Sequence, residues 1–202
     1  LIHHTVVVEP GAKIADDVII GPFSYIGSEV ILHSGVEIKS HVVVTGATEI
    51  GEKTVVYSFA VIGEIPQDLK FNGEKTNLKI GKRNQIREHV TINTGTKLGG
   101  GLTSIGNDCL FMTGSHVAHD VKINNKVIIA NCGAVAGHCV IEDDVIIGGL
   151  SGIHQFVRIG RGAIVGAVTM VTKDVIPFGL VQSPRGCLLY TTDAADDSLR
   201  VD

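Results

Sequence analysis

The stretch "VILHSGVEIKSHVVVTGATEIG", residues 30–51, decides the fold. Leu32, Ile38, Val44 and Ile50 recur in it at every sixth position. Outward from it the same spacing runs without a miss through Ile2, Val8, Ile14, Ile20 and Ile26 on one side and Val56 and Ile62 on the other. After an interruption the frame returns at Ile80, Ile86 and Ile92. It then slips by one and continues as Ile105, Phe111, Val117, Ile123, Ile129, Val135, Ile141, Ile147, Ile153, Ile159, Val165 and Val171. With these residues called position i, i+1 is often Gly (Gly21, Gly51, Gly81, Gly106, Gly148), and i+4 is small or β-branched (Val36, Thr48, Ala60, Val121, Ser151).

A hexapeptide period of this kind predicts an all-β parallel β-helix, a single-stranded solenoid in which each repeat buries its apolar face against the next. Three hexapeptides close one triangular coil of about 18 residues, and coils stack at about 4.8 Å, the spacing of neighbouring strands. Residues n and n+18 are then neighbours, and i and i+4 face the core. A sandwich or an α/β fold would need hairpin signals or helical periods, and the chain has neither. Two segments break the frame, "EIPQDLKFNGEKTNLK" at 64–79 and "GTKLGGGLTS" at 95–104. Both read as loops extruded from the rod, where binding residues commonly reside. The Gly-rich one lacks the Lys-Ser/Thr pair of a phosphate-binding loop, and no helix follows it.

Composition agrees with a strand-built core and narrows the partners. The 202 residues suffice for one domain; 44% are hydrophobic, with 25 Gly and no Trp. A net charge of -4 leaves no basic footprint for nucleic acid. No apolar run approaches the length of a membrane span, and no signal-peptide pattern opens the chain. Cys109, Cys132, Cys139 and Cys187 have no metal-type spacing, which fits free thiols in a reducing cytoplasm.

The segment "MTGSHVAHDVKIN", 112–124, carries the candidate chemistry. In the frame set by Ile105, His119 is an i+2 residue, Asp120 and His138 are i+3 residues, and His116 precedes the core residue Val117. None occupies a core slot. Counting one coil onward puts Gly137 and Gln155 in the column of His119, and His138 in that of Asp120. An imidazole with a carboxylate beside it can accept a proton from an alcohol near neutral pH, and a glycine amide can approach a developing oxyanion. Acyl transfer would use all three. A contact between His119 and Asp120 requires corner geometry, because adjacent residues on a straight strand point to opposite faces. Two other readings stand beside it: a metal held by His116, His119 and His138, as in carbonic-anhydrase-like hexapeptide proteins, and a solenoid without catalysis.

The motifs "QDLK", "IRE" followed by "VTI", "GGGLT", "HVAHD", "AGH" and "HQF" occur in this order. In this set the chain resembles the UDP-N-acetylglucosamine O-acyltransferases of lipid A biosynthesis over roughly residues 1–182. The resemblance implies a left-handed β-helix, a homotrimer with its active site between subunits, and transfer of a 3-hydroxyacyl chain from acyl carrier protein to the glucosamine 3-hydroxyl, with no cofactor and no metal. It further implies that His119 is the general base, Asp120 its support and Gly137 the oxyanion donor. Asp68, Lys70, His116, His138, His154 and Gln155 would contact the sugar nucleotide, and Ala167 would correspond to a position that measures acyl length. Members of the family continue into a helical domain. Here residues 183–202 are expected to be a truncated end with a non-native, disordered tail resembling a translated sequencing adapter, which leaves 1–182 as the acyltransferase domain.

Overall fold

The computed structural model describes residues 1–183 and the backbone of Cys187–Thr191. The chain winds as a left-handed parallel β-helix with three flat faces. Each face is one sheet. One has nine strands, from Val7–Val8 to Met170–Val171; the second has eight, from Lys13–Ile14 to Arg158–Ile159; the third has ten. Most strands are only two residues long, because each turn of the coil spends the rest of its hexapeptide on the corner.

Pairing follows the expected register: Val7 faces Tyr25, Tyr25 faces Val43, and Val43 faces Val61. The two frame breaks appear as jumps in that register. Val61 pairs with Thr91, and Thr91 with His116, after which the regular step resumes with Ala134, Gly152 and Met170. Both interruptions are therefore extruded loops that leave the ladder continuous. At the far end Cys187–Thr191 pairs antiparallel with Gly179–Gln182, so this part of the segment expected to be disordered is a strand; residues 184–186 and 192–202 lie outside the described residues.

Every position-i residue from Ile20 to Val171 is buried, and i+4 residues such as Val36, Thr48 and Val121 share the interior. Ile2 and Val8 are exposed, since no described coil covers that end of the rod. The i+1 glycines have a steric cause: a Cβ on Gly51 would lie 2.6 Å from the carbonyl oxygen of Gly81 in the next coil. Cys109 and Cys139 fill i+4 core slots, where burial pushes both thiols up to about 11. Such thiols are poor nucleophiles at neutral pH. Among the described residues no helix is long and apolar enough to cross a membrane.

The corners are left-handed turns that L-residues rarely adopt, and they recur in columns. Phe23, His41, Phe59 and His89 all have positive φ, with ring centroids 5.1 to 5.2 Å apart along one edge, tilted between Phe23 and His41 and stacked from His41 onward. Aromatic stacking of this kind offsets part of the backbone cost. Phe111 is the largest fully buried side chain. Phe111→Ala is expected to cost about 3–5 kcal/mol, read as a lowered midpoint in thermal or urea unfolding; a midpoint equal to that of the parent would show that the coil interior collapses around the gap.

Candidate active site

His119 and Asp120 sit at a corner of the nine-stranded sheet, directly after the strand His116–Val117. Asp120 takes the left-handed conformation, with φ 59°, as do His138 and Phe156 one and two coils further on. The chain turns sharply there, so the two adjacent side chains meet instead of diverging. Nδ1–H of His119 donates to Oδ2 of Asp120 at 2.8 Å. A carboxylate can only accept, so the proton resides on Nδ1 and Nε2 keeps its lone pair.

His119 is only 6% exposed although it occupies no core slot. The sequence frame predicted a non-core histidine, and burial comes instead from the next coil and from the Gly-rich loop packed around the pair. A Cβ on Gly137 would lie 2.5 to 3.1 Å from three atoms of the His119 ring, so only glycine leaves room for the imidazole. The Gly137 carbonyl accepts from the Phe156 N–H, while its own N–H donates to no acceptor among the described residues.

The carboxylate of Asp120 is 1% exposed and fully engaged. Thr96 donates its N–H to Oδ1 at 2.8 Å and its hydroxyl to Oδ2 at 2.6 Å, and the Asp120 N–H donates to the Thr103 hydroxyl. Neither threonine was singled out from sequence. The Gly-rich run "GTKLGGGLT" was the available signal, but nothing in its spacing shows that it folds back over residue 120.

His119 opens onto a cleft of about 670 Å³ along the outer face of the nine-stranded sheet. Its floor is built from small side chains, Ala118, Ala134, Ala136 and Gly152, whose neighbours alternate into the core. The first extruded loop overhangs it, bringing Asp68 and Lys70 to the wall, where Asp68 Oδ1 accepts the Lys70 N–H at 3.0 Å. His116, Gly137, His154 and Gln155 also line it. Nδ1 of His116 is tied to the Thr91 hydroxyl at 2.7 Å, and burial, then the neighbouring His119, holds this imidazole below its ordinary pKa. His116 is therefore a neutral hydrogen-bonding group at physiological pH.

Three of the residues predicted for the site lie apart from the cleft lining: Asp120, buried against His119, together with His138 and Ala167. His138 packs edge-on to His119 at 5.0 Å and flat on Phe156 at 4.6 Å, with Nδ1 3.8 Å from Asp120 Oδ2. It packs against the pair and does not line the cleft. Ala167 is exposed at the sheet's other edge, three residues before Met170, which does line the cleft. Met170, Asn93 and Gln67 are lining residues that the sequence reading missed.

The ligand atoms that converge most closely are those of His119, Asp120 and His138, all within 4.8 Å of one another, and His116 is not among them. A cation there would have to displace the Nδ1–H hydrogen bond and the Thr96 contacts. The donor set is thus arranged to hold a proton in place, with one imidazole nitrogen left to act as a base.

A family model described as bacterial transferase hexapeptide (six repeats) matches residues 11–46. Over 130 residues the chain is 72% identical to an acyl-(acyl-carrier-protein):UDP-N-acetylglucosamine O-acyltransferase of Paracoccus denitrificans, covering 64% of this chain and 50% of that one. To the protein of the same name from Xylella fastidiosa it is 52% identical over 191 residues, covering 92% and 73%. The solved structure of UDP-N-acetylglucosamine O-acyltransferase from Moraxella catarrhalis matches with a TM-score of 0.89 at 42% identity, over 90% of this chain and 71% of that one. The chain spans about half the length of most of the curated relatives it matches.

Proposed function

The chain belongs to the family of acyl carrier protein-dependent UDP-N-acetylglucosamine O-acyltransferases, and from that premise we propose that it transfers a 3-hydroxyacyl chain from acyl carrier protein to the 3-hydroxyl of the glucosamine unit, a cytoplasmic first step toward lipid A. The observation that carries this reading is the orientation of His119, whose Nδ1–H is fixed on Asp120 while Nε2 is free beside the cleft.

In the proposed reaction Nε2 takes the proton of the sugar hydroxyl as its oxygen attacks the thioester carbonyl. The new C–O bond leaves the negative charge on the former carbonyl oxygen. The Gly137 N–H, at the wall of the cleft, is the donor suited to it. Collapse breaks the C–S bond, and the imidazolium returns its proton to the departing thiolate. Asp120 stays ionised throughout and stabilises the imidazolium. No cofactor enters this sequence. Asp68, Lys70, His116, His154 and Gln155 are assigned to the sugar nucleotide, Lys70 as a flexible cation for the diphosphate. His138, expected as a substrate contact, is assigned instead to packing against the base, since it does not line the cleft. The small-residue floor suits an acyl chain, and Ala167 is retained as the length-measuring position on the strength of the family resemblance. The active assembly is proposed to be a homotrimer; exposed Phe23, Phe59, Leu150 and Val168 lie along one corner of the coil, interleaved with His41 and His89, and suit contact between copies.

The test is mass-spectrometric detection of acylated UDP-N-acetylglucosamine after incubation with a panel of 3-hydroxyacyl carrier proteins. Product with one chain length is the expected result. Product on an amino sugar alone would point to N-acyl transfer, and no product from a folded trimer would leave the solenoid without this activity.

A further inference from the structure

The Gly-rich loop that breaks the second register has a role beyond connecting coils. Resting on the acyl-transfer reading above, we propose that Thr96 is a positioning residue for the catalytic base, setting His119 by holding both oxygens of the Asp120 carboxylate.

The geometry is specific to this loop. Thr96 presents both of its donors to one carboxylate: the N–H to Oδ1 at 2.8 Å and Oγ1–H to Oδ2 at 2.6 Å. Oδ2 is also the oxygen that receives His119 Nδ1–H. The two contacts from Thr96 therefore fix the plane of the carboxylate, and the plane fixes the direction in which Oδ2 meets the imidazole. Thr96 is itself held. It caps the short 3-10 turn Lys97–Gly99, its hydroxyl accepting from the Gly99 N–H at 3.2 Å and its carbonyl from the Gly101 N–H at 2.8 Å. With Gly99 as donor, the hydroxyl hydrogen is left to point at Asp120.

Two of the glycines are part of the same device. A Cβ on Gly99 would stand 2.1 Å from Asp120 Cγ, and one on Gly95 would stand 2.8 Å from Oδ1. The loop backbone thus lies directly against the carboxylate, which explains why that group is 1% exposed and why glycine occupies these positions. Lys97 N–H reaches Glu74 Oε1 at 3.3 Å, joining this loop to the segment that bears Asp68 and Lys70. Thr96 is not among the residues that line the cleft, so it acts through Asp120 and not on substrate.

The test compares Thr96→Val, which keeps the N–H and removes the hydroxyl, with Thr96→Ser, which keeps both. Loss of a hydrogen bond to a charged group predicts a kcat about 10- to 100-fold lower for Thr96→Val, with UDP-N-acetylglucosamine affinity by calorimetry unchanged and kcat largely restored in Thr96→Ser. Gly99→Ala crowds the same carboxylate with Thr96 intact, and is expected to lower kcat likewise; it decides the matter if Thr96→Val fails to fold. A folded Thr96→Val chain with parental kcat would overturn the proposal. If the parent itself transfers no acyl group, the reaction assignment fails separately. The His119 Nδ1 proton resonance then judges the clamp: a shift in Thr96→Val but not in Thr96→Ser supports it, and an unchanged resonance in both overturns it.

Discussion

His119→Ala is expected to lower kcat for acyl transfer by about 10²–10⁴-fold, the range usual for loss of a positioned general base. Among the described residues, neither of the other imidazoles lining the cleft, His116 and His154, is backed by a carboxylate. His116 lines the same cleft, but its Nδ1 is engaged by Thr91 and its remaining basicity is reduced by burial. His154 lies one coil beyond Ala136, with its Nδ1 3.2 Å from the Gln155 carbonyl oxygen. The substitution removes a ring that packs against Gly137 and leaves Asp120 held by Thr96 and Thr103, so circular dichroism and the unfolding midpoint should stay close to those of the parent. Sugar-nucleotide affinity should be retained. A variant with parental kcat and intact fold would exclude His119 as the base and remove the central support for the proposed reaction.

Asp120→Asn is expected to be nearly as severe, with kcat lowered by up to about 10⁴-fold, the loss seen when the carboxylate behind a catalytic histidine becomes an amide. The physical reason is the tautomer. Asp120 accepts from three donors, the Thr96 N–H and hydroxyl and the His119 Nδ1–H. An amide offers one oxygen to the donors that now reach two. If its NH2 group faces His119, the imidazole must accept at Nδ1 and carry its proton on Nε2, where it can no longer take one from an alcohol. If the NH2 group faces away, it opposes the Thr96 N–H. Nitrogen chemical shifts of His119 distinguish these arrangements, and steady-state kinetics measure the loss. Because base and support act as a unit, the double variant with His119→Ala should be little worse than His119→Ala alone. Fully additive losses would mean that Asp120 serves some purpose other than holding this histidine.

Much of this architecture is legible in one dimension because the solenoid makes it so. A residue's environment in a β-helix depends on its place in the hexapeptide and on its neighbours one coil away. The frame starting at Ile2 therefore identified the buried residues from Ile20 onward, the close-approach glycines such as Gly51, and the column in which Gly137 meets His119. It failed where the local rule loses its partner: Ile2 and Val8 have the right position but no described coil beneath them, and they are exposed.

What only the tertiary structure decided is how the two interruptions return to the rod. Their residues obey no period, so their distance along the chain carries no information about what they touch. Asp68 and Lys70 reach the cleft wall from a loop, and Thr96 reaches Asp120 across 24 residues of sequence. The pairing of His119 with Asp120 likewise depends on a left-handed corner, whose positive φ brings adjacent side chains to one side; in a straight strand the same dipeptide would point them apart. The sequence by itself determined the coil, its core and the column of candidate groups, since these follow from a repeating contact between neighbours. The carboxylate's clamp and the direction of the imidazole were decided in three dimensions, because they arise where a non-repeating loop folds back onto the repeat.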